Sequence, residues 1–319
     1  MPSRNLGFAV KVVGEPGLPS HDTRRWQSKP HLSVSLERLR GILDYLARVD
    51  IGMYRLSSAL VPYGTHPDLP EFHRQLEDCA AQLAELGSHA NELGVRLSSH
   101  PGQYVVLNSA SERVSEAAAR DLELQARLFD AMGLGPDAVV VLHVGSGEGG
   151  HEAGKIRFLR TFERLSERAR ARLVIENDDR VFALTHVLEI SGRTGLRVVW
   201  DVLHHHCNDP DGLPDREALE LALGTWPRGQ TPKIHYSSPK TAIEERAAKR
   251  GRSLVLPQLR AHADMVDPIA FEWFLRGPGR GLGFDIMLEA KGKDAALLRL
   301  REQLSARGIL TRGHALQAP

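Results

Sequence analysis

The feature that most constrains this chain is the alternation of short, β-rich apolar runs with helical patterns along nearly its whole length. Such alternation is typical of βαβ units, whose strands form a parallel sheet covered by helices. Leucines and alanines that recur every three or four residues predict helices at 35–49, 71–93 and 294–307. Strands are predicted at 6–13, 52–57, 96–99, 138–144, 173–177, 198–202, 233–237 and 284–289.

Eight βα units favour an α/β fold that closes into one (β/α)8 TIM barrel, with functional residues at the C-terminal face of the strands. An open doubly wound sheet is the structural alternative, although neither a G-x-G-x-x-G nor a G-x-x-x-x-G-K-[ST] phosphate loop follows a predicted strand. No linker rich in Pro, Gly or Ser divides the chain. We therefore predict a single domain over residues 1–319.

Two long connections, at 14–34 and 238–266, follow the first and seventh predicted strands and should lie over the barrel mouth. The second is rich in cations and carries only Glu244, Glu245 and Asp264 as acidic residues. This pattern is equally compatible with a contact to nucleic-acid phosphates and with a solvated charged helix. The cations are Lys240, Arg246, Lys249, Arg250, Arg252 and Arg260.

The composition favours a globular protein of the cytoplasm. The sequence begins without a secretory signal, and no apolar run approaches the ~18 residues of a membrane helix. Cys79 and Cys207 are too few for a disulfide framework or a four-thiolate zinc site, so any metal must be held by histidine and carboxylate. The net charge of +1 lacks the basic excess of DNA-coating proteins, but divalent ions would add positive charge locally.

Six consecutive predicted strands, the third to the eighth, end in histidine or carboxylate. A two-residue window holds His, Asp or Glu with a probability of about one third, so six successive hits arise by chance about once in a thousand. One such histidine alone is more often a hydrogen-bonded core or loop residue. Converging buried carboxylates and imidazoles are costly without a cation, and a divalent ion stabilises them. The residues are His100, His143, Glu176, Asp201 with His204 three residues on, His235 and Glu289.

These ligand types predict a centre of two or three divalent ions. Mixed histidine and carboxylate ligation suits Mn, Zn or Fe, and the many oxygen donors favour Mn, with Zn and Mg as alternatives. Such a centre activates water and orients a phosphodiester, so no serine or cysteine nucleophile is needed. Lys233 shares a strand face with His235 and could balance charge, contact phosphate, become modified, or extend out of the barrel end. We predict Glu176, His143 and Lys233 as catalytic residues.

Six sequence segments together resemble one family, the ultraviolet damage endonucleases, which are relatives of endonuclease IV among the xylose-isomerase-like barrels. The segments occur in the expected order between positions 100 and 291. They are HPGQYVVLNS at 100–109, IENDD at 175–179, DVLHHH at 201–206, KIHYSSP at 233–239, HAD at 262–264 and DIMLEAK at 285–291.

The resemblance implies a trinuclear-type centre, often with manganese, whose ligands are the strand-end residues and His262, which lies at no predicted strand end. It implies a carboxylated lysine at Lys233, and it implies that Gln103 and Tyr104 wedge into the duplex. Phe8 stands where better known members carry a tyrosine, so it is expected to stack on the lesion without the hydroxyl's hydrogen bond. The implied reaction is a cut immediately 5′ to a pyrimidine dimer, which leaves a 3′ hydroxyl.

Three functions therefore stay open: a lesion-nicking nuclease, a metal-dependent sugar isomerase or epimerase, and a noncatalytic damage-binding protein with structural metals. The barrel alone does not separate the two enzymes, because the scaffold hosts both. Gln103, Tyr104, Lys233 and the size of the ligand set favour the nuclease. We expect damaged double-stranded DNA as the partner, no membrane, no organic cofactor, and a monomer.

Overall fold

The fold is known from a computed structural model that describes residues 4–248, 251–312 and 315–317. Strands and α-helices alternate through most of this part of the chain. The strands are β1 (Arg4–Ala9), β2 (Met53–Arg55), β3 (Arg96–Ser98), β4 (Val140–His143), β5 (Leu173–Glu176), β6 (Arg197–Val199), β7 (Lys233–Tyr236), β8 (Glu244–Ala248), β9 (Gly251–Val255), β10 (Asp285–Leu288), β11 (Leu310–Arg312) and β12 (Ala315–Gln317). The α-helices are α1 (Leu32–Arg48), α2 (Gln75–Asp78), α3 (Ala80–Glu92), α4 (Glu112–Ala131), α5 (His151–Glu163), α6 (Glu167–Arg172), α7 (Leu184–Thr194), α8 (Val202–Cys207), α9 (Asp215–Gly224), α10 (Pro268–Arg276) and α11 (Lys293–Ala306).

Eight parallel strands form a ring. β7, β10, β1, β2 and β3 pair in that order, and β4, β5 and β6 form a second run of parallel pairs. The two runs are joined by one parallel bridge at each end, Ser99 to Val140 and Asp201 to His235. The predicted (β/α)8 barrel is therefore confirmed, with all eight predicted strands in it. That the chain is one domain stays a prediction.

The helices cover the outside of the ring through apolar stripes. In α1 the leucines that face the core recur every three or four residues, which places them on one side of the helix. Burying each of these side chains stabilises the fold by about 1.5–3 kcal/mol relative to exposing it. The buried leucines of α1 are Leu32, Leu36, Leu39, Leu43 and Leu46.

Two predicted elements end or break where the backbone leaves regular geometry. The first strand ends at Ala9 rather than at residue 13, because Val10 has a φ of 66° that a strand does not accommodate. The helix predicted at 71–93 is interrupted at Cys79, whose φ of −106° and ψ of 16° separate α2 from α3. Buried Gln75 anchors this segment, since its side chain accepts from the Leu32 amide and donates to the Pro62 carbonyl.

The long connection after β7 forms an antiparallel hairpin, β8 with β9, and not the charged helix that the sequence left open. Lys249 and Arg250 of this connection lie outside the described residues. A second hairpin, β11 with β12, was not predicted, and it adds β12 to β1 through the antiparallel pair Asn5 and Ala315. Among the described residues, no helix combines the length and the apolar character that crossing a bilayer requires.

Candidate metal centre

The candidate metal centre lies at the C-terminal ends of the barrel strands, where all eight predicted ligand side chains come together. Strand register accounts for part of this convergence. His143 of β4 pairs with Glu176 of β5, and Asp201, just beyond β6, is bridged to His235 of β7. Neighbouring parallel strands therefore present these side chains next to one another at one end of the barrel.

Glu176 is at the middle of the cluster. Its fully buried carboxylate accepts hydrogen bonds from His100 Nε2 at 2.9 Å and from His235 Nδ1 at 2.7 Å. The nearest carboxylate oxygens lie 3.6 Å from His143 Nε2 and 3.8 Å from His204 Nδ1. Burial alone would raise the pKa of Glu176, but the surrounding imidazoles hold it well below its ordinary value. The carboxylate is therefore in the charged form that binds cations.

Glu289, the residue after β10, supplies a second carboxylate. One of its oxygens lies 3.4 Å from His235 Nδ1 and the other 3.6 Å from His262 Nε2. The Arg55 guanidinium, at the end of β2, forms an ion pair with it. Burial would raise the pKa of Glu289, but Arg55, with the two histidines, holds it well below its ordinary value. This carboxylate is also charged.

In three histidines of the cluster Nδ1 lies next to a carbonyl or hydroxyl oxygen, and in His235 it faces the Glu176 carboxylate. His204 Nδ1 lies 3.0 Å from the Asn177 carbonyl, and His262 Nδ1 lies 2.6 Å from the Ser237 hydroxyl. His100 Nδ1 lies 3.1 Å from the carbonyl of the following proline. A hydrogen bond at one ring nitrogen fixes the tautomer and orients the other nitrogen as a ligand. Nε2 of His204 and His262 is thereby left as the ring nitrogen that can bind a cation, whereas His100 Nε2 is hydrogen-bonded to Glu176.

The burial and the neighbouring charges of the cluster shift the pKa values of its residues in different directions. Burial raises the pKa of Asp201 to about 7. Burial lowers the pKa of His204, but the carboxylates of Asp201 and Glu176 overcome it and raise the value to about 9. Burial lowers the pKa of His235 to about 4, against the influence of Glu176. Near neutral pH, Asp201 and His204 therefore retain protons that a bound cation would displace.

The donor set fits divalent cations. Asp201 Oδ2, His143 Nδ1 and His235 Nε2 are buried without a hydrogen-bond partner among the described residues, which costs about 1–3 kcal/mol for each such group. Donor atoms of six residues form three overlapping groups, and within each group the atoms lie within 4.8 Å of one another. His204 and His262 border these groups. The groups are His100 with His143 and Glu176; His100 with His235 and Glu289; and Glu176 with Asp201, His235 and Glu289.

Comparison with known proteins identifies the family. Residues 22–316 match the family model described as UV-endonuclease UvdE. The chain belongs to this family. A UV DNA damage endonuclease from Bacillus velezensis is 32% identical over 285 residues, which are 87% of this chain and 84% of that protein. The crystal structure of SacUVDE matches with a TM-score of 0.79 at 30% identity and covers 96% of this chain and 99% of that one. The family resemblance of the six segments is confirmed.

A more distant likeness concerns the fold alone. The crystal structure of D-psicose 3-epimerase from Clostridium cellulolyticum H10 with D-tagatose matches with a TM-score of 0.51 at 11% identity, over 90% of this chain and 85% of that one. At this identity the match shows a shared barrel, which hosts unrelated activities. It therefore gives the epimerase alternative no weight for the UvdE-family chain.

Lys233 is enclosed within the barrel of this UvdE-family chain. Its side chain is fully buried, and Nζ has no hydrogen-bond partner within the part of the chain that the structure describes. Burial, with the nearby guanidinium groups of Arg96 and Arg55, pushes the pKa of Lys233 well below its ordinary value. The side chain does not extend out of the barrel end, so that interpretation of the sequence is wrong. Charge balance, phosphate contact and modification stay predictions.

The predicted DNA contacts fall in two different environments. Gln103 and Tyr104 are exposed in the loop after β3, where the side chain of Tyr104 is 82% exposed. A cavity of about 620 Å³, lined by Gln103 and His143 among others, lies beside them. Phe8 is fully buried, with its ring edge-on to Tyr54 at 5.3 Å between centroids. The expected contact of Phe8 with a lesion does not hold, because a ring without exposed surface cannot stack on a base.

Sequence reasoning misses three residues that shape the UvdE-family site. Arg55 ends a strand as the ligands do, but only His, Asp and Glu were sought at strand ends. Asn177 directly follows ligand Glu176, and Ser237 lies two residues after ligand His235. The two-residue period of a strand, which puts Ser237 on the face of its ligand neighbour, is the signal that could have identified it.

Proposed function

We propose that this chain is a metal-dependent endonuclease that cuts DNA immediately 5′ to ultraviolet photolesions such as pyrimidine dimers. The observation that carries the proposal is the convergence of eight ligand-type side chains, buried Glu176 among them, in a chain of the UV-endonuclease family. Relatives named UV DNA damage endonuclease support damaged double-stranded DNA as the substrate. We propose that the enzyme acts as a monomer in the cytoplasm without an organic cofactor.

We propose two or three divalent ions as the cofactor, with Mn favoured over Zn and Mg by the number of oxygen donors. When bound, such ions lower the pKa of a water and stabilise the entering and leaving oxygens of a phosphodiester. The three overlapping donor groups support more than one ion, because they share carboxylates. The proposed ligands are His100, His143, Glu176, Asp201, His204, His235, His262 and Glu289.

Glu176 and His143 are proposed as catalytic residues for different reasons. Glu176 fixes the rings of His100 and His235 through its two hydrogen bonds, so it determines where their donor atoms lie. The side chain of His143 is partly exposed and borders the cavity beside Gln103. His143 can therefore touch the substrate as well as the buried carboxylates.

Lys233 is proposed to carry a carboxyl group on Nζ. Its lowered pKa favours the neutral amine, which is the form that attacks carbon dioxide. The Nζ–C bond forms, one proton leaves, and the product carries one negative charge with two oxygens. This change would replace an unpaired buried amine beside two guanidinium groups with an anion that they stabilise. Intact-protein mass spectrometry at neutral pH, with acidification as the control, tests for the labile addition.

Gln103 and Tyr104 are proposed to probe the duplex at the lesion. The Tyr104 ring has almost no contacts to lose when it inserts, because it already projects into solvent. An aromatic plane can replace base stacking that a damaged step has already weakened, so insertion costs less at a lesion than in intact DNA. The same pair therefore provides discrimination without reading a base sequence.

Supercoiled plasmid gives the test of this function. Purified protein with Mn²⁺ at low salt should relax ultraviolet-irradiated plasmid and leave unirradiated plasmid mostly closed. Mapping the nick on a duplex with one defined pyrimidine dimer should place it directly 5′ to the lesion. Lesion binding without strand breaks in Mn²⁺, Zn²⁺ or Mg²⁺ would instead support the noncatalytic function, and no binding with epimerase activity on ketoses would support the sugar enzyme.

A further inference from the structure

The hairpin of β8 and β9, called the ribbon below, is rooted at the edge of the candidate metal centre. The chain leaves β7 and returns to ligand His262 through an antiparallel bridge between Pro239 and His262. Backbone hydrogen bonds from Lys240 to Ala261 at 2.7 Å, and from residue 263 to Ser238 at 2.9 Å, hold the two stems together. The ribbon therefore begins and ends next to ligand His262.

One face of the ribbon exposes large aliphatic side chains. Arg252, Leu254 and Leu256 alternate along β9 and its extension, so they project to the same side. Leu254 is 69% exposed, Leu256 is 75% exposed, and Ile243 at the start of the opposite strand is 60% exposed. An isolated two-stranded hairpin is only marginally stable in water. A cluster of exposed aliphatic side chains on such a hairpin is typical of a surface that binds another molecule.

The net positive charge of the connection that contains the ribbon indicates a polyanion as its partner. Residues 238–264 contain six Lys and Arg against three Asp and Glu, which gives +3, whereas the whole chain has +1. The rest of the chain is therefore −2, and the positive charge is concentrated here. Arg252 pairs with Glu245 at 2.9 Å, but both side chains are exposed, so the pair is weak and the guanidinium can exchange partners.

The ribbon also lies opposite the proposed probing loop. In the ring of eight strands, β3 and β7 are separated by four positions in either direction. The loop with Tyr104 follows β3 and the ribbon follows β7, so they rise from opposite sides of the barrel mouth. A duplex that lies across the metal centre can touch both.

We propose that the ribbon is a second DNA-binding arm, which holds duplex DNA against the mouth from the side opposite Tyr104. Arg252 contacts a backbone phosphate, and Leu254 and Leu256 lie in the groove, where aliphatic side chains can press on base edges. The ribbon has a suitable width for this role, because the major groove of B-DNA admits a two-stranded β-ribbon. This inference rests on the proposed function, since it assigns a further contact to the same substrate.

The test compares ribbon variants with matched surface variants of the full chain. Arg252→Ser, Leu254→Ser and the double variant are set against two controls: Ile156→Ser, an exposed aliphatic residue of α5, and Arg164→Ser, directly after that helix. Binding to a duplex with one pyrimidine dimer is measured by fluorescence anisotropy from 50 to 200 mM salt. Nicking at saturating protein is measured in parallel.

Removing one phosphate contact should lower the salt slope of log K by about 0.9, so the loss of affinity relative to the unmodified chain should be roughly threefold larger at 50 mM than at 200 mM salt. The double variant should bind about tenfold more weakly. The control variants should match the unmodified chain. Ribbon variants with an unchanged Kd and salt slope, or a dimer of the unmodified chain that Leu254→Ser dissociates, would overturn the proposal. Failure of the unmodified chain to bind or nick the lesion would instead refute the proposed function.

Discussion

Replacing Glu176 with glutamine should separate the charge of the metal centre from its packing, because the amide has nearly the same volume as the carboxylate. The carboxylate now accepts hydrogen bonds at 2.9 Å and 2.7 Å from His100 and His235. Bonds to a charged group contribute about 1.5–3 kcal/mol each, so about 3–6 kcal/mol depends on this charge. A divalent cation bound beside residue 176 would lose a comparable interaction in the variant. Its affinity should therefore be roughly 10²- to 10⁴-fold weaker than in the unmodified chain.

Isothermal titration with Mn²⁺ measures that affinity, and relaxation of irradiated plasmid at limiting Mn²⁺ measures the consequence for cleavage. Glu112→Gln is the control, because Glu112 is exposed at the start of α4, where its carboxylate pairs with Arg164 and not with a ligand residue. Equal circular dichroism spectra establish that Glu176→Gln is folded. Mn²⁺ affinity and nicking within about twofold of the unmodified chain would show that this carboxylate neither binds nor organises the ions.

Three further predictions follow from other parts of the structure. Tyr104→Ala should reduce the ratio of affinities for irradiated and intact duplex, since it removes the exposed ring, and an unchanged ratio in competition binding would exclude the wedge. Adding Mn²⁺ to chelator-treated protein at a concentration about 100 times Kd should stabilise it by about 2.7 kcal/mol, and equal melting temperatures with and without Mn²⁺ would contradict a built site. Hydrogen bonds from Arg24 and the His31 amide lower the pKa of Asp22, so its stabilisation is present above the unfolded pKa near 4 and is lost as pH falls. The difference in free energy of unfolding between the unmodified chain and Asp22→Asn should therefore shrink below about pH 4 in urea titrations, and a constant difference would refute the assignment.

Strand-end ligands could be predicted because parallel strands in a closed barrel all finish at one face. His100, His143 and Glu176 are therefore within reach of one another although up to 76 residues separate them. His262 follows no strand, and its position depends on the bridge to Pro239 that folds the connection back, so only the family resemblance indicated it. Long-range pairing inside a loop leaves no periodic signal in the sequence.

The backbone conformation of two segments and the role of Arg55 were harder to predict from the sequence. Nothing in the apolar run at 6–13 indicates that Val10 adopts a positive φ, because valine normally avoids that region. The hairpin after β7 contains charged and aliphatic residues that also suit an exposed helix. The choice between hairpin and helix depends on the pairing of Glu244 with Val255 across the ribbon. Arg55 acts by neutralising Glu289, a relation that only the closed barrel creates.

The two single bridges that close the ring lie next to the metal ligands. His100 stands on one side of the first junction and His143 on the other, while Asp201 and His235 face each other across the second. Few backbone hydrogen bonds connect the two arcs of strands at these junctions. Cations bound there would link one arc of strands to the other. The bonds between ligands and cations would therefore stabilise the closed barrel as well as form the metal centre.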